Sequence, residues 1–374
     1  MKIQIKEVQN SKDLDAFVKF PMKLYKDNPY YVPPFINDEK QAMDKDKNPI
    51  FKDAEARYFL AFKGKEIVGR IAAIINWKEV KEQGKQKMRF GWFDTIDDIE
   101  VTKALLEVVQ SIGKEKGLQY MEGPVGFSNL DKAGLLTQGF DKLATMVGLY
   151  NSPHYAEHFE TLGFETANEW VEFELDAPTV LPEKVIKFNR IVQERYKLRE
   201  LKFSKTKELF PYVDEMFELL DKTYSPLETY VPIADYQVTH YKEKYVPFIN
   251  PDYVNIIVDE QDKMVAFAIT MPSYSKAMQK ANGKLLPFGW YHLMKANKKN
   301  DSAAFYLIGI DPKYQGKGVT ALIFKAMFET FKRNGIKYLE TNPELVENES
   351  IQVLWKAYNP VNHKRRKTFR KNIA

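Results

Sequence analysis

The sequence predicts a two-domain protein of the mixed α+β class in which one order of strands and helices occurs twice. The chain has 374 residues, more than the roughly 100–200 residues of a usual single domain. Each half contains short apolar runs typical of strands and one long stretch of helical apolar spacing. Because strand, strand, strand, helix, strand and short helix follow one another in both halves, we predict a tandem repeat of architecture.

The elements of each half follow from the spacing of apolar residues. Strand candidates in the first half lie at residues 58–61, 67–75, 88–93 and 118–121. The helix before the last of them has the apolar stripe Val101, Ala104, Leu105, Val108, Val109 and Ile112. Strand candidates in the second half lie at residues 253–258, 264–270, 303–310 and 336–341. The corresponding helix has the stripe Val319, Leu322, Ile323, Ala326, Met327 and Phe331.

The boundary between the halves is expected near residues 176–182, a short stretch that carries two prolines. The first domain would cover residues 1–176 and the second residues 196–374. Residues 177–195 would form a linker, and the helix predicted at residues 184–196 would bridge the two domains.

Composition excludes several functional classes. Lys and Arg total 56 against 51 Asp and Glu, and a net charge of +5 is small for a nucleic-acid-binding chain. The absence of cysteine excludes disulfides, thiol nucleophiles and cysteine metal sites. Residues 1–10 lack the apolar core of a signal peptide, and no apolar run approaches the roughly 18 residues of a membrane span. We therefore expect a cytoplasmic protein with no membrane span, no nucleic acid partner and no metal.

The segment from Gln315 to Thr320 carries the strongest chemical signal, because it connects an apolar strand to an amphipathic helix. The first turn of a helix has unpaired N–H groups and the positive end of the helix dipole, so it binds phosphate. Gly316 and Gly318 remove Cβ atoms where a diphosphate must approach, and Lys317 adds a positive charge. A glycine-rich turn that only starts a helix would use the same residues.

The context of these glycines limits the type of diphosphate ligand. A Walker loop is excluded, because Gly-Lys-Ser/Thr does not occur at the required spacing. The pattern Gly316-x-Gly318-x-x-Ala321 fits a dinucleotide loop, and Glu340 lies where that fold places its ribose-binding acid. However, only one helix, one strand and a short tail can follow the loop, which is too little for a dinucleotide-binding fold.

The segment from Asp311 to Thr320 resembles the acyl-CoA-binding motif of the GNAT superfamily of N-acyltransferases, Gln/Arg-x-x-Gly-x-Gly/Ala. Gln315 and Gly318 match the first two fixed positions, and Thr320 stands where the family has Gly or Ala. The resemblance is good over residues 303–358. It implies two tandem GNAT-like domains, each a twisted, mostly antiparallel sheet flanked by helices. It also implies that an amine acceptor attacks the thioester of acetyl-CoA or another acyl-CoA directly.

The resemblance implies two groups of coenzyme-binding residues. The pyrophosphate would bind the backbone N–H groups of Gln315, Gly316, Lys317, Gly318, Val319 and Thr320. The pantetheine would pair with the backbone of Ile308, Gly309 and Ile310, because the family separates two strands at this point. Asn348 fits an asparagine that the family has later in the chain.

Proton transfer is expected from two side chains. The family has an aromatic residue, usually Tyr, about seven positions after the asparagine, but this chain has Trp355. Tyr358 lies one helical turn further and is the candidate acid toward the leaving thiolate. Glu340, on the strand after the helix, is the candidate base. Glu340 could instead cap or pair, and Tyr358 could simply pack.

The first half resembles the same fold without the coenzyme site. Four acids in residues 94–100 replace the glycine loop and would repel a phosphate. Phe159 and Phe164 fit the aromatic ending of the family. We therefore predict one active half, acting on a small-molecule or peptide amine, with the oligomeric state undetermined by sequence. The alternatives are a non-catalytic acyl-CoA-binding module and an aminoacyl-tRNA-dependent transferase of the same fold.

Three further segments each permit two interpretations. His154-x-x-Glu157-His158 matches a zinc-protease pattern, which we interpret as a polar helix. Residues 363–371 are basic and could bind nucleic acid or lipid, but a basic final strand is favoured. Residues 286–294 are rich in aromatic side chains and could line the acceptor pocket or pack in the core.

Overall fold

The computed structural model describes residues 2–128, 130–178, 180–181, 183–227 and 229–373. Pro182, which belongs to the predicted boundary segment, lies outside the described residues. In the first half the strands are β1 Ile3–Glu7, β2 Ala54–Lys63, β3 Glu66–Asn76, β4 Lys87–Thr95, β5 Tyr120–Gly123, β6 Leu135–Gln138 and β7 Glu165–Asp176. The helices of this half are α1 Ser11–Leu24, α2 Ile36–Met43, α3 Trp77–Glu82, α4 Ile99–Glu115 and α5 His154–Thr161.

Helix α6, Glu183–Tyr196, leads into the second half. The strands of that half are β8 Arg199–Leu201, β9 Val254–Val258, β10 Met264–Pro272, β11 Ser302–Ile310, β12 Tyr338–Glu340, β13 Glu344–Leu345 and β14 Val361–Asn372. Its helices are α7 Val213–Tyr224, α8 Asp235–Tyr245, α9 Ser275–Ala281, α10 Gly289–Lys298, α11 Val319–Asn334 and α12 Glu349–Trp355. The order of strands and helices predicted for both halves is confirmed.

The two halves share one sheet. In the described part of the chain its strand order is β1-β2-β3-β4-β5-β14-β7-β12-β11-β10-β9-β8, with β6 and β13 pairing at the side. The last strand of each half lies beside the central strand of the other. Phe369 of β14 is opposite Gly123 of β5, and Leu339 of β12 is opposite Leu175 of β7. Each half therefore completes its sheet with a strand from the other.

Each half contains a pair of parallel strands that separates after three residues. β4 pairs with β5 only from Lys87 to Arg89, and β11 pairs with β12 only from Ser302 to Ala304. From Phe305 onward, β11 has a strand partner on its β10 side alone. This fork leaves backbone groups of β11 available to a ligand or to side chains.

Helices α4 and α11 cover the sheet at corresponding places and bury the predicted apolar stripes. The fully buried side chains include Val101, Leu105 and Val109 on α4, and Ile323, Met327 and Phe331 on α11. Each such side chain stabilises the fold by roughly 1.5–3 kcal/mol relative to an exposed one. The stripes thus fix both long helices, and with them the loops that precede them.

Loops also connect the halves. Gln279 of α9 donates from Nε2 to the backbone oxygens of Pro29 and Tyr31, at 2.8 and 2.9 Å. Tyr25 and Met278, one from each half, are buried in the same apolar cluster. Within the described residues, no helix has the length and apolarity needed to cross a membrane.

Candidate active site

The turn after β11 is held by Asp311. Its carboxylate accepts the N–H of Lys313 at 2.8 Å and the ammonium group of Lys222 at 2.6 Å. Partial burial opposes ionisation of Asp311, but these two contacts outweigh burial and lower its pKa. The turn is therefore fixed by a charged side chain before the glycines begin.

The glycines place the start of α11 in the geometry that an anion requires. Gly316 and Gly318 have φ values of 71° and 83°, in the left-handed region that favours glycine. Gly318 is the N-cap of α11 and offers no side chain to the first turn. Among the hydrogen bonds of the described residues, none uses the N–H groups of Gly316, Gly318, Val319 or Thr320. Unpaired N–H groups at a helix N-terminus, together with the helix dipole, are the arrangement that binds anions in proteins.

Polar and aromatic side chains surround this loop. Gln315 donates from Nε2 to the backbone oxygen of Ile310 at 3.1 Å, which ties the loop to the end of β11. The ammonium group of Lys317 lies 5.6 Å from the ring of Tyr196 and 5.5 Å from the ring of Tyr314. Lys317 is thus held beside the turn by two aromatic rings.

Helix α6 packs against the same loop. A Cβ atom on Gly318 would lie 2.6 Å from the ring of Phe188 and 3.0 Å from Val192. Gly318 is therefore required both by its backbone conformation and by the approach of α6. No local sequence pattern predicts this contact, since Phe188 and Gly318 are far apart along the chain.

Tyr224 and Asn342 contact the backbone of β11, and Phe267 lies against Gly309 from the paired strand β10. Tyr224 at the end of α7 donates its hydroxyl hydrogen to the oxygen of Ile308 at 3.3 Å. Asn342 donates from Nδ2 to the oxygen of Tyr306 at 2.7 Å. A Cβ atom on Gly309 would lie 2.6 Å from the ring of Phe267. The residues expected to pair with pantetheine therefore lie at the fork, with some acceptors already occupied.

Glu344 is a buried carboxyl group at this fork that the sequence reading missed. It lies on β13, and only 9% of the residue is exposed. Its Oε1 accepts the indole N–H of Trp355 at 2.7 Å. In the described part of the structure, Oε2 has no hydrogen-bond partner. Burial raises the pKa of Glu344 to about 8, with the Trp355 hydrogen bond opposing the rise.

Trp355 and Tyr224 connect Glu344 to β11. The Trp355 ring is buried, with its centroid 4.8 Å from that of Phe305, where the fork opens. Burial raises the pKa of Tyr224 to about 12, and the negative charge of nearby Glu344 adds to the rise. Trp355 thus positions the carboxyl group of Glu344 through its indole N–H.

Glu340 lies on β12 in a different environment. Its Oε1 is paired with the ammonium group of Lys364 and lies 3.3 Å from Nε2 of His363. Burial opposes ionisation of Glu340, but Lys364 and His363 outweigh it, and the pKa is lowered. A carboxylate held in this way keeps its charge and is a weak proton acceptor.

The surroundings of Glu340 form a buried network of charges between the halves. Glu172 of β7, Glu340 and His363 have ligand-type atoms within 4.8 Å of one another, an arrangement that could hold a metal ion. Lys364 also pairs with Glu340, and Arg366 pairs with Glu172. Two cations therefore already neutralise the carboxylates, and the cluster joins β7, β12 and β14.

Tyr358 and Asn348 lie away from Glu340. The Tyr358 ring packs against Phe324 and Phe328 of α11, with centroids 5.7 and 4.9 Å away, and burial raises its pKa. The N–H of Asn348 donates to the oxygen of Leu345 at 2.9 Å, just before α12. The structure brings Gln315, Ile310 and the start of α11 together, and it leaves Tyr358 beside the same helix.

In the first half, the acids at residues 94–100 have structural partners. Asp94 is buried, pairs with Arg70 at 2.7 Å and accepts the Tyr25 hydroxyl at 3.1 Å. Asp98 caps α4 by accepting the N–H of Glu100 at 3.0 Å, and it also pairs with Lys63. The N-terminus of α4 is therefore satisfied by a carboxylate of its own chain.

The structure also shows the environment of the three remaining sequence motifs. His158 contacts the Thr102 hydroxyl through Nδ1 at 2.9 Å and Asp97 through Nε2 at 3.3 Å, as part of helix α5. Residues 363–371 lie within strand β14, so the interpretation as a basic strand is confirmed. The core interpretation of residues 286–294 is wrong for Leu286, Phe288 and Trp290, which are exposed.

Comparison with known proteins gives two likenesses in sequence that each cover most of the chain. No family model matches the chain. The chain is 25% identical to protein YghO of Escherichia coli over 370 residues, which cover 97% of this chain and 94% of that protein. It is 27% identical over 322 residues to the bacterial ceramide synthase of Caulobacter vibrioides, covering 82% of this chain and 80% of that protein.

Solved structures establish the fold. A tandem GNAT protein from the clavulanic acid biosynthesis pathway is 11% identical, has a TM-score of 0.58, and the match covers 100% of this chain and 99% of the other. A GCN5-related N-acetyltransferase from Sphaerobacter thermophilus is 9% identical, with a TM-score of 0.56 and coverage of 99% and 96%. The chain therefore has the tandem GNAT fold, as the motif at Gln315 predicted.

Proposed function

We propose that the chain is an N-acyltransferase that binds acyl-CoA in its second half and transfers the acyl group to an amine. The observation that carries the proposal is the uncapped N-terminus of α11 beside the fork between β11 and β12. The first feature suits a pyrophosphate, and the second offers strand-like backbone to the pantetheine amides. The thioester would then lie at the fork.

Coenzyme binding is assigned to the residues that the motif predicts. The N–H groups from Gln315 to Thr320, except that of Lys317, which donates to Tyr314 at 3.2 Å, would hold the pyrophosphate, and the edge of Ile308–Ile310 would pair with pantetheine. Asn348 remains a predicted coenzyme contact at the start of α12. A diphosphate next to Lys317 also gains from the positive charge there.

Glu344, rather than Glu340, is the general base in this proposal. An acceptor amine must lose a proton as it attacks, and a base acts best when its pKa is close to the working pH. Glu344, with a pKa raised by burial to about 8 and a free Oε2, meets this need. Glu340 is ion-paired and stays charged, so its role is to connect β12 to β14 across β7.

The transfer reaction then needs no covalent enzyme intermediate. The amine nitrogen attacks the thioester carbon, its proton passes to Glu344, and the carbon–sulfur bond breaks. A backbone N–H of β11 would stabilise the oxyanion, and Tyr358 would give a proton to the leaving thiolate. Orienting both substrates at the fork supplies much of the rate.

The acceptor class that we favour is a primary amine on a long apolar chain. The support is the likeness to a protein named bacterial ceramide synthase, since a ceramide is a long-chain amino alcohol acylated on nitrogen. This likeness is distant. Short amines and amino-terminal peptides therefore belong in the same substrate panel.

The test is release of free thiol from acetyl-CoA and from long-chain acyl-CoA in the presence of an amine panel. We expect release that depends on one class of amine. Coenzyme binding without thiol release from any pair would favour a non-catalytic binding module. A protein that binds no coenzyme A would contradict the proposal as a whole.

A further inference from the structure

Between β10 and β11, the active half carries an insertion that the first half lacks. The chain there runs from residue 273 to residue 301 and forms α9, a turn and α10. The corresponding link between β3 and β4 runs only from residue 77 to residue 86 and holds the short helix α3. We refer to residues 273–301 as the α9–α10 hairpin.

The tip of the hairpin exposes large apolar side chains close together in sequence. Leu286 is 75% exposed and Phe288 is 67% exposed. The other members of this apolar set are Leu285, Trp290, Tyr291 and Met294. Exposed apolar residues that occur singly need no explanation, but a contiguous set of this size marks an interaction surface.

The charged side chains of the hairpin are all lysines up to residue 300, and Asp301 lies at its base. No Asp or Glu occurs from residue 263 to residue 300. The hairpin carries six lysines in this stretch, Lys276, Lys280, Lys284, Lys295, Lys298 and Lys299. All six are exposed, and none takes part in the ion pairs of the described residues. The surface therefore combines an apolar tip with unpaired positive charge.

The hairpin is held rigidly at both ends. At its base, Asn300 donates from Nδ2 to the oxygen of Ser273 at 2.7 Å, and Leu293 packs in the inter-half cluster with Met278. At its tip, the indole N–H of Trp290 donates to the oxygen of Pro287 at 2.9 Å. The polar atom of Trp290 is thus satisfied within the hairpin, so its ring can enter an apolar phase at little cost.

We propose that the α9–α10 hairpin docks the protein on an anionic lipid bilayer, with the apolar tip inserted at the headgroup level and the lysines against the lipid phosphates. Helices that lie in a membrane interface combine exposed Trp, Phe and Leu with flanking lysines in this way. Clustered lysines without acids match the negative potential of anionic lipids, whereas a protein partner would need a complementary acidic surface. The proposal does not depend on the transfer reaction.

The test is co-sedimentation of the full chain with vesicles, at low and high salt. One vesicle type contains phosphatidylcholine alone, and the other contains equal parts of phosphatidylcholine and phosphatidylglycerol. We expect binding to the mixed vesicles that is at least about tenfold tighter than to phosphatidylcholine and that weakens with salt. The fluorescence of Trp290 should shift to the blue on binding, and this shift should vanish in Trp290→Phe.

Two variants separate the two parts of the surface. Leu286→Ser with Phe288→Ser removes the apolar tip, and Lys284→Gln with Lys295→Gln and Lys298→Gln removes charge. Each should reduce vesicle binding at least about fivefold without lowering the melting temperature, since all five side chains are exposed. Phe248→Ser is the matched control, because Phe248 is 77% exposed outside the hairpin.

Three outcomes would overturn the proposal. The first is failure of the native chain to bind mixed vesicles, and the second is binding that both hairpin variants retain in full. The third is a concentration-dependent dimer that Leu286→Ser with Phe288→Ser abolishes, without vesicle binding, which would assign the surface to a second copy. Coenzyme titration of the same samples reports separately on the proposed function.

Discussion

Helices α4 and α11 occupy corresponding places in the two halves, yet the residues that precede their first turns differ. The first turn of α4 is capped by Asp98, whose carboxylate also pairs with Lys63. The first turn of α11 follows Gly318 and has no side-chain cap. A few residues thus decide whether the N-terminus of this helix is capped by a side chain or begins at a glycine with no side-chain cap.

A buried carboxyl group in each half also differs in its partners. In the first half, the buried carboxylate of Asp94 is paired with Arg70. In the second half, the buried carboxyl group of Glu344 has a neutral partner, Trp355, and its other oxygen has no hydrogen-bond partner among the described residues. A paired carboxylate stabilises structure, whereas one that lacks a cation can exchange a proton near neutral pH.

The largest expected effect is on turnover in Glu344→Gln. Removing a general base should lower kcat by about 100-fold or more, while coenzyme affinity stays close to that of the native chain. The assay is thiol release with the amine identified from the panel. Glu347→Gln, an exposed residue three positions later, is the control, and equal activity in both variants would remove Glu344 from the mechanism.

The same variant has a predicted effect on stability with a definite sign. The pKa of Glu344 rises from 4.5 to about 8 on folding, so the folded state holds the proton more tightly than the unfolded state. The contribution of Glu344 to the free energy of unfolding therefore falls as pH rises from 4.5 to 8. Glu344→Gln should gain stability relative to the native chain above pH 8, seen as a higher melting temperature.

In the first half, Asp94→Asn should act on stability and leave the coenzyme site intact. Breaking a buried ion pair leaves Arg70 without its counter-charge, and the free energy of unfolding should fall by about 3 kcal/mol. Denaturant unfolding measures this loss. Glu66→Gln breaks the exposed pair with Lys23 and should cost less than about 1 kcal/mol. A large loss of coenzyme affinity in folded Asp94→Asn would contradict the division of roles.

Gly318→Ala tests the anion site against a matched glycine at the other end of α11. Gly335 caps the C-terminus of that helix with a φ of 70°, close to the 83° of Gly318. Gly335→Ala should cost about 1–2 kcal/mol of stability, and Gly318→Ala should cost more, because its Cβ would also lie 2.6 Å from the Phe188 ring. Only Gly318→Ala should weaken coenzyme A binding, by about tenfold, in calorimetry. Similar coenzyme affinities in the two variants would show that this loop does not bind the coenzyme.

The smallest expected effect concerns the pH dependence of catalysis in Trp355→Phe. The Trp355 hydrogen bond opposes the rise in the pKa of Glu344, so its loss should raise that pKa further. In a plot of kcat/KM against pH, the acidic limb should move to higher pH by up to about one unit. Trp77→Phe is the matched control, because Trp77 donates to Glu55 at 3.0 Å in the first half. An unchanged limb in Trp355→Phe would mean that another group titrates.

Local patterns were sufficient to predict much of this structure. The apolar stripe from Val319 to Phe331 predicted α11, because residues that recur with a 3.6-residue period lie on one face of a helix. That face packs against the core. The loop at Gln315 was predicted because its glycines, the preceding strand and the following helix are adjacent in sequence. Both signals lie within a short window of the chain.

Features that depend on distant partners were not predictable in this way. Strand β14 looks like a basic surface strand, but Arg366 is buried by pairing with Glu172 of β7. No local sequence pattern identifies Glu344, because its burial depends on Trp355 and on the pairing of β13 with β7. Apolar content alone also could not distinguish a core segment from the exposed tip at Leu286.

Strand exchange determines how the comparison can be tested. β14 pairs with β5 and β7 of the first half, so the second half alone lacks neighbours for its last strand. Experiments on the coenzyme site therefore use the full chain, with substitutions rather than truncations.

Amide hydrogen exchange with and without coenzyme A tests the central claim most directly, because it reports on the backbone N–H groups assigned to the pyrophosphate. We predict that coenzyme A slows exchange at residues 315–320 and leaves residues 94–100 unchanged, since α4 is capped by Asp98. Protection of both segments, of residues 94–100 alone, or of neither would contradict a single coenzyme site at the start of α11.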